Sequence, residues 1–345
     1  MKKMLALLLA LVMVLSLAAC ASSQPAAAST ETAETAETTE PAAEESAEAP
    51  AESGKTYTVG VCQLVQHEAL DAATQGFVDA LKEELGDAVT VDVQNASGDS
   101  VNCGTIVNGF VSKGVDLIMA NATPALTAAV SATADIPILG TSITAYGVAL
   151  DIDDFNGTVG GNVSGTSDLA DLQAQAQMIL DWFPETKTVG LLFCSAEPNS
   201  RYQIDEVRKA LEAQGVTCEE FAFTDSNDVS SVTQKAADFS DVVYIPTDNT
   251  AASNTEAIAN VLIPAGVPAI CGEEGLCRGC GVATLSISYY DLGVTTGKMA
   301  AKILKGEADI STMPVEYTDA TPKYNASVCE QLGITPLDGY EAIEG

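Results

Sequence analysis

The chain predicts an α/β protein of two similar lobes, each built on a parallel central sheet with helices on both faces. Apolar runs of strand length alternate with segments of helical periodicity from Tyr57 to Leu304. Those runs are apolar continuously rather than at every second residue, the mark of strands buried on both faces. The alternation restarts near Leu169, as it would if a second sheet began there.

The first run, Tyr57–Val65, is followed by a helical stretch, Ala69–Leu85, whose apolar face holds Ala72, Phe77, Ala80 and Leu81. Val89–Val93 reads as a short strand and Val101–Lys113 as a helix, with Asp99 or Ser100 placed to cap it. Val115–Ala120 is strand. Thr123 is the candidate N-cap of the next helix, with Pro124 at its first position. Ile136–Leu139 is strand again. In the second half, Leu169–Phe183, Asn199–Gln214, Asp228–Ala237 and Ala251–Leu262 read as helices. Between them, Thr188–Phe193, Val216–Phe223, Val242–Ile245 and Val267–Cys271 read as strands. The strand before Thr123-Pro124 has a counterpart in the strand before Thr247-Asp248. A final helix, Asp291–Leu304, stops at Gly306.

The amino terminus reads differently. Lys2 and Lys3 precede an apolar run, Met4–Leu17, that ends in Leu17-Ala18-Ala19-Cys20. A basic start, a short apolar run and small residues at a cut site make a secretory signal. The run is shorter than the roughly 20 residues a spanning helix needs. The cysteine at that site resembles a bacterial lipoprotein lipobox. That resemblance implies lipidation of Cys20 and a mature chain anchored to the outer face of the cell membrane. Residues 21–54 are almost wholly Ala, Glu, Thr, Ser and Pro, with eight Glu and no Lys or Arg. Such a segment cannot bury enough surface to offset its ordering entropy, so an extended, disordered tether is expected.

Without the two leader lysines and the eight linker glutamates, 13 basic and 40 acidic residues remain, a formal charge of −27 on the folded part. That argues against binding a phosphate backbone, which needs Lys and Arg, and nucleic acid is set aside. Eight cysteines follow Cys20. Cys62, Cys194 and Cys271 lie in or beside apolar runs, where Cys behaves as a small hydrophobe. Cys277-Arg278-Gly279-Cys280 is the only CxxC, half of a zinc site in a chain whose one histidine is His67. It reads as a local disulfide or two free thiols. No metal or cofactor is expected.

In open α/β sheets ligands bind outside the carboxyl ends of the strands. That rule selects Gln63–Asp71, Asn121–Pro124, Gly140–Thr144, Cys194–Ser200, Pro246–Asn249 and Gly272–Glu274. These loops are rich in hydroxyls, amides and carboxylates and poor in cations. A binding cleft between the lobes is the reading of the set, although any one of these residues can equally be a helix cap.

The runs Gln63–Asp71, Ala122–Pro124, Ile245–Asn249 and Tyr289–Gly293, with the helix Gly293–Gly306, resemble the tryptophan/tyrosine-type substrate-binding proteins of ABC transporters. The resemblance covers roughly residues 56–335. It implies a type I periplasmic-binding fold: two Rossmann-like lobes with parallel central sheets, joined by a three-crossing hinge and closing on a small ligand. The crossings are expected near Ser164–Asp168, Leu285–Ser288 and Val315–Thr321. The lobes are then residues 55–166 with 287–318, and 167–286 with 319–345. The family implies no reaction. It implies a monomer that captures a small molecule, an aromatic or aliphatic amino acid, and delivers it to a membrane permease.

A zwitterion needs donors for its carboxylate and an acceptor for its ammonium. Thr123, Ser142 and Thr144, with backbone N–H groups at helix starts, suit the carboxylate. Asp248 suits the ammonium, with Glu197 as rival, although Asp248 also fits as a helix cap. Asn199 and Asn249 offer further hydrogen bonds. Gln63, Glu68, Glu273 and Tyr289 are candidates for the mouth or the side-chain pocket, Tyr289 fitting hinge packing as well. Trp182 reads as core and His67 as a solvated loop residue. The segment Cys271–Gly281 departs from the family pattern, and Arg278 there is set either to bind a carboxylate or to pair with Glu273 or Glu274. Two other classes are weaker. A sensor ectodomain would bind the same ligand and signal through a partner. A hydrolytic triad could draw only on His67, and the chain has no G-x-S-x-G, Walker A or dinucleotide glycine motif. Acid–base chemistry by Glu197 and Asp248 has no substrate clue.

Overall fold

The structure, a computed structural model, describes residues 55–344. The expected signal peptide, Cys20 and the linker lie outside the described residues. The chain first runs β1 (Tyr57–Gln63), α1 (Glu68–Leu85), β2 (Val89–Asn95), α2 (Ser100–Lys113), β3 (Leu117–Asn121), α3 (Thr123–Ala132), β4 (Ile138–Ile143), α4 (Tyr146–Ala149) and β5 (Val163–Ser167). It crosses to a second lobe: α5 (Leu172–Trp182), β6 (Thr188–Cys194), α6 (Pro198–Glu212), β7 (Thr217–Phe223), α7 (Val229–Phe239) and β8 (Val242–Ile245). That lobe continues with α8 (Asn249–Ala252), α9 (Thr255–Ala265), β9 (Ala269–Cys271), α10 (Glu274–Cys280) and β10 (Ala283–Ser286). Next, α11 (Tyr289–Lys305) and β11 (Glu316–Tyr317) return to the first lobe. Finally β12 (Thr321–Tyr324), α12 (Ala326–Leu332) and β13 (Glu341–Ala342) complete the second.

The first sheet has the order β11-β5-β4-β3-β1-β2, and the second β13-β12-β10-β9-β8-β6-β7. All pairings are parallel except β10 with β12. The chain passes between the sheets three times, at Ser167–Leu172, Ser286–Tyr289 and Tyr317–Thr321. Two Rossmann-like lobes on a three-crossing hinge are therefore what the alternation and the resemblance led one to expect.

Each sheet separates two cores, and strand periodicity sorts the side chains between them. Along β3, Ile118 and Ala120 join Phe110, Leu126 and Tyr146 on one face. Leu117 and Met119 join Val59, Phe77 and Leu304 on the other. Along β6, Leu191 and Phe193 face one core and Leu192 and Cys194 the other. Full burial of one such Leu, Ile or Phe side chain stabilises by about 1.5–3 kcal/mol. Trp182 is core, packed against Tyr324 and Tyr340.

Helices α1 and α11 approach more closely than helices bearing side chains at the contact can. A Cβ on Gly293 would sit 2.0 Å from the Ala73 carbonyl oxygen, and one on Gly76 would sit 2.1 Å from that of Tyr290. The glycines let the backbones touch, and this fixes the start of α11, with Tyr289, against the start of α1.

Several elements differ from the sequence expectation. Asp99 caps α2 through Val101 N as expected, but Thr123 caps nothing. The N-cap of α3 is Ala122, at φ 89°, and Thr123 is the first helical residue. The expected helix Ala251–Leu262 is two helices, because Asp248 caps a single short turn and the chain restarts at Thr255. Cys271–Gly281 is mostly the helix α10, capped by the Glu273 carboxylate. All eight described cysteines are free thiols.

Candidate functional site

The loops leaving the carboxyl ends of the two sheets close around one small cavity between the lobes. The first lobe lines it with Ser142 and Thr144, from the end of β4 and just beyond, and with His67 and Leu70 at the start of α1. The second lobe contributes Asn199 on α6, Thr247, Asp248, Asn249 and Ala252 around α8, and Glu273 before α10. Asp168 and Tyr289 come from two of the crossings. The cleft is shut. His67 Nε2 lies 3.2 Å from Asn249 Oδ1 across it, and Arg278 Nε reaches the Glu68 carboxylate at 3.0 and 3.1 Å.

Three buried polar atoms on this wall have no hydrogen-bond partner: Ser142 Oγ, Asp168 Oδ1 and Asn199 Oδ1. Ser142 owes its position to a break in the pairing of β4 with β5, and its φ of 55° lies in the left-handed region. A non-glycine residue there costs on the order of 1–3 kcal/mol, a strain that recurs at ligand clamps. Asp168 directs Oδ2 to the Tyr289 hydroxyl, which donates to it at 2.8 Å, and leaves Oδ1 bare. Burial raises its carboxyl pKa, the Tyr289 and Thr144 hydroxyls only partly opposing this. Asn199 donates Nδ2 to the Thr247 carbonyl at 3.0 Å, so its bare atom is the acceptor end of the amide.

The other carboxylates are engaged. Asp248 Oδ2 accepts from Cys194 N at 2.6 Å and Oδ1 from Ala251 N at 2.8 Å. Burial, helped by nearby Glu197, pushes its pKa up to about 8. Glu273 accepts from Gly275 N and Leu276 N, both at 2.6 Å, and burial pushes it up to about 7. Asp168, Asp248 and Glu273 thus line one small cavity that no lysine or arginine lines. The wall favours a guest that brings a positive group.

Seven of the eleven residues singled out from sequence meet at the cavity: Ser142, Thr144, Asn199, Asp248, Asn249, Glu273 and Tyr289. Four do not line it. Gln63 is tied inside its own lobe, donating to Val65 O and Asp71 Oδ1 and accepting from the Thr74 hydroxyl. Thr123 is buried in the first turn of α3. Glu197 accepts from the backbone N–H groups of Asn249 and Thr250 and from their side chains, which leaves it no part in holding an ammonium. Glu68 stands at the rim, paired with Arg278. Arg278 also pairs with Glu274, not Glu273. His67, read as solvated, is instead half-buried and bridges the lobes. Asp168 was legible only as hinge, and Thr247, Leu70 and Ala252 were not singled out. The rule that picks loops at carboxyl strand ends would have found Asp168 had β5 been recognisable as a strand.

A family described as ABC transporter substrate binding protein matches residues 58–339. The tyrosine-binding protein of Clostridioides difficile (strain R20291) is 32% identical over 276 residues, 78% of this chain and 79% of that protein. A Streptococcus pneumoniae ABC domain in complex with L-Trp matches at 32% identity and TM-score 0.79, covering 84% of this chain and all of that one. A ligand-free, open substrate-binding protein with adhesive properties from Clostridium difficile matches at 33% identity, over 84% of this chain and 99% of that one, but with a TM-score of only 0.64. At nearly equal identity, the lobes here are arranged more like the tryptophan complex, in keeping with the shut cleft. Matched over most of its length, the chain belongs to the ABC transporter substrate-binding protein family.

Proposed function

We propose that this protein captures an amino acid, most readily an aromatic one, between its lobes and presents it to an ABC permease. The observation that carries the reading is the set of three partnerless atoms, Ser142 Oγ, Asp168 Oδ1 and Asn199 Oδ1, on the wall of one closed cavity. Buried polar groups are ordinarily paired, and leaving one unpaired costs about 1–3 kcal/mol. A guest that pairs all three removes that cost and so favours the closed form. Two of the three are pure acceptors, and one is a carboxylate oxygen. An ammonium group supplies the matching donors, held by Asp168 and Asn199. Ser142 and Thr144 then face the guest's carboxylate. Relatives named for tyrosine and solved with L-Trp support an aromatic side chain.

In this reading Asp248 and Glu273 shape the field and cap helices, and Asp168 replaces Asp248 as the ammonium acceptor. The protein works outside the cytoplasm as a monomer, held to the membrane by lipid on Cys20, and the residues before Lys55 act as the tether. Among the described residues no helix is long and apolar enough to cross a membrane. We assign the protein no reaction. The test is a thermal-shift and calorimetric screen of the purified protein against the twenty amino acids, common sugars and nucleosides. A ligand at a hundred times its Kd should stabilise by about 2.7 kcal/mol. Tyrosine or tryptophan should do so. A response confined to sugars or nucleosides would refute the reading.

A further inference from the structure

His67 is the only histidine in the chain. It sits just before α1, where a side chain could cap the helix, yet it makes no capping hydrogen bond. Its one side-chain hydrogen bond goes across the cleft, from Nε2 to Asn249 Oδ1 at 3.2 Å. The direction of that bond is fixed from behind. Asn249 Nδ2 donates to Glu197 Oε2 at 2.7 Å, so the amide presents its acceptor oxygen to the ring. Glu197 is itself held by the Thr250 N–H and hydroxyl at 2.9 and 2.8 Å. His67 Nε2 must therefore carry the proton, and in a neutral imidazole Nδ1 is then a bare acceptor. Burial lowers the pKa of the ring and favours that neutral form, against the pull of Asn249 and of the carboxylates of Glu197, Asp71 and Glu68.

Position gives this acceptor a task. Outside the central cavity lies a second groove lined by Glu68, Ser253 and Arg278 among others; His67, Ala252 and Glu273 border both, whereas Ser142, Asp168 and Asn199 border the central cavity and not that groove. A guest whose ammonium and carboxylate lie on the inner set points its side chain toward His67 and Ala252. We propose that His67 Nδ1 accepts a hydrogen bond from the guest's side chain, so that the site selects aromatic amino acids ending in a donor. The phenol O–H of tyrosine and the indole N–H of tryptophan qualify; phenylalanine has no such group. The relay Thr250–Glu197–Asn249 positions the ring by fixing its tautomer. The proposal rests on the amino-acid reading above and names the side-chain class that reading leaves open.

A site built around a hydrogen bond discriminates against the analogue lacking it. Calorimetric titration of the native protein should give phenylalanine a Kd at least about tenfold weaker than tyrosine, with the ratio falling toward one in His67→Phe. Nitrogen NMR of the histidine-labelled native protein keeps the proposal testable if that variant misfolds. The single ring should show a protonated Nε2 and a bare Nδ1, and tyrosine but not phenylalanine should shift Nδ1. Equal affinities for tyrosine and phenylalanine, or a proton on Nδ1 in the free protein, would overturn the proposal and leave amino-acid capture standing. Absence of binding by all three aromatic amino acids would overturn both.

Discussion

Asp168→Asn separates the two sides of the capture reading, because it should move stability and affinity in opposite directions. Asp168 is 4% exposed, faces no cation and has one oxygen without a partner. Its other oxygen takes the Tyr289 hydroxyl at 2.8 Å, a contact the isosteric amide can keep. In the empty protein the substitution removes a buried charge that burial already penalises, so the melting temperature should hold or rise. With ligand present, it removes a hydrogen bond to a charged group, which contributes about 1.5–3 kcal/mol. At 1.4 kcal/mol per tenfold, affinity should fall roughly ten- to somewhat over a hundredfold. Calorimetric titration and thermal melts on the same preparations measure both. Asp248→Asn is the contrast: both Asp248 oxygens accept backbone N–H groups, so the amide leaves one buried N–H without an acceptor and should lower the melting temperature of the empty protein by the equivalent of about 1–3 kcal/mol. Wild-type affinity in Asp168→Asn, or a less stable empty protein, would refute the assignment of the ammonium to this residue.

Three other perturbations follow from the same geometry. Glu273 has a pKa of about 7 and Asp248 about 8, both above the ordinary carboxylate values of about 4 in an unfolded chain. The empty folded protein therefore holds these protons longer. That contribution to stability is complete below about pH 4 and is lost as pH rises through 7 to 8. An ammonium guest favours the ionised forms, so binding should release protons and tighten between about pH 6 and 8, as titrations in buffers of different ionisation enthalpy would reveal. Gly293→Ala drives a Cβ to 2.0 Å from the Ala73 carbonyl oxygen and should lower urea-measured stability by about 1–3 kcal/mol or more. Arg278→Ala removes the ion pair to Glu68 across the mouth of the cleft. Because both side chains are substantially exposed, the loss in affinity should be at most about 1 kcal/mol and should vanish near 1 M salt, where screening is nearly complete.

The sequence disclosed the fold where burial is two-sided. Strands β1, β3, β6 and β8 are continuous apolar runs because each faces a core on both sides. Strand β5 is equally buried but reads Val-Ser-Gly-Thr-Ser, with no apolar pattern to find. Its room is filled from elsewhere. The Tyr146 hydroxyl donates to Thr166 O, and a Cβ on Gly165 would lie 2.0 Å from Gly140 O. Missing β5 meant missing Asp168 just beyond its end. The helix α10 was hidden for another reason: a Glu-Glu-Gly start looks like an acidic turn until Glu273 is seen to cap it. At the site, the strand-edge rule located most of the cavity wall but did not assign roles. Whether a carboxylate meets the guest or a backbone N–H depends on chain geometry after the strand, and the sequence does not display that. Asp248 and Glu197 are occupied with N–H groups of α8, whereas Asp168, with a hydroxyl on only one oxygen, is not.

A crystal structure of the protein with tyrosine or tryptophan bound tests amino-acid capture most directly. The ligand's amino nitrogen should lie within hydrogen-bonding distance of both Asp168 Oδ1 and Asn199 Oδ1, with the two lobes closed about it. A ligand bound outside the cleft, or one inside it that leaves those two oxygens without a donor, would contradict the account.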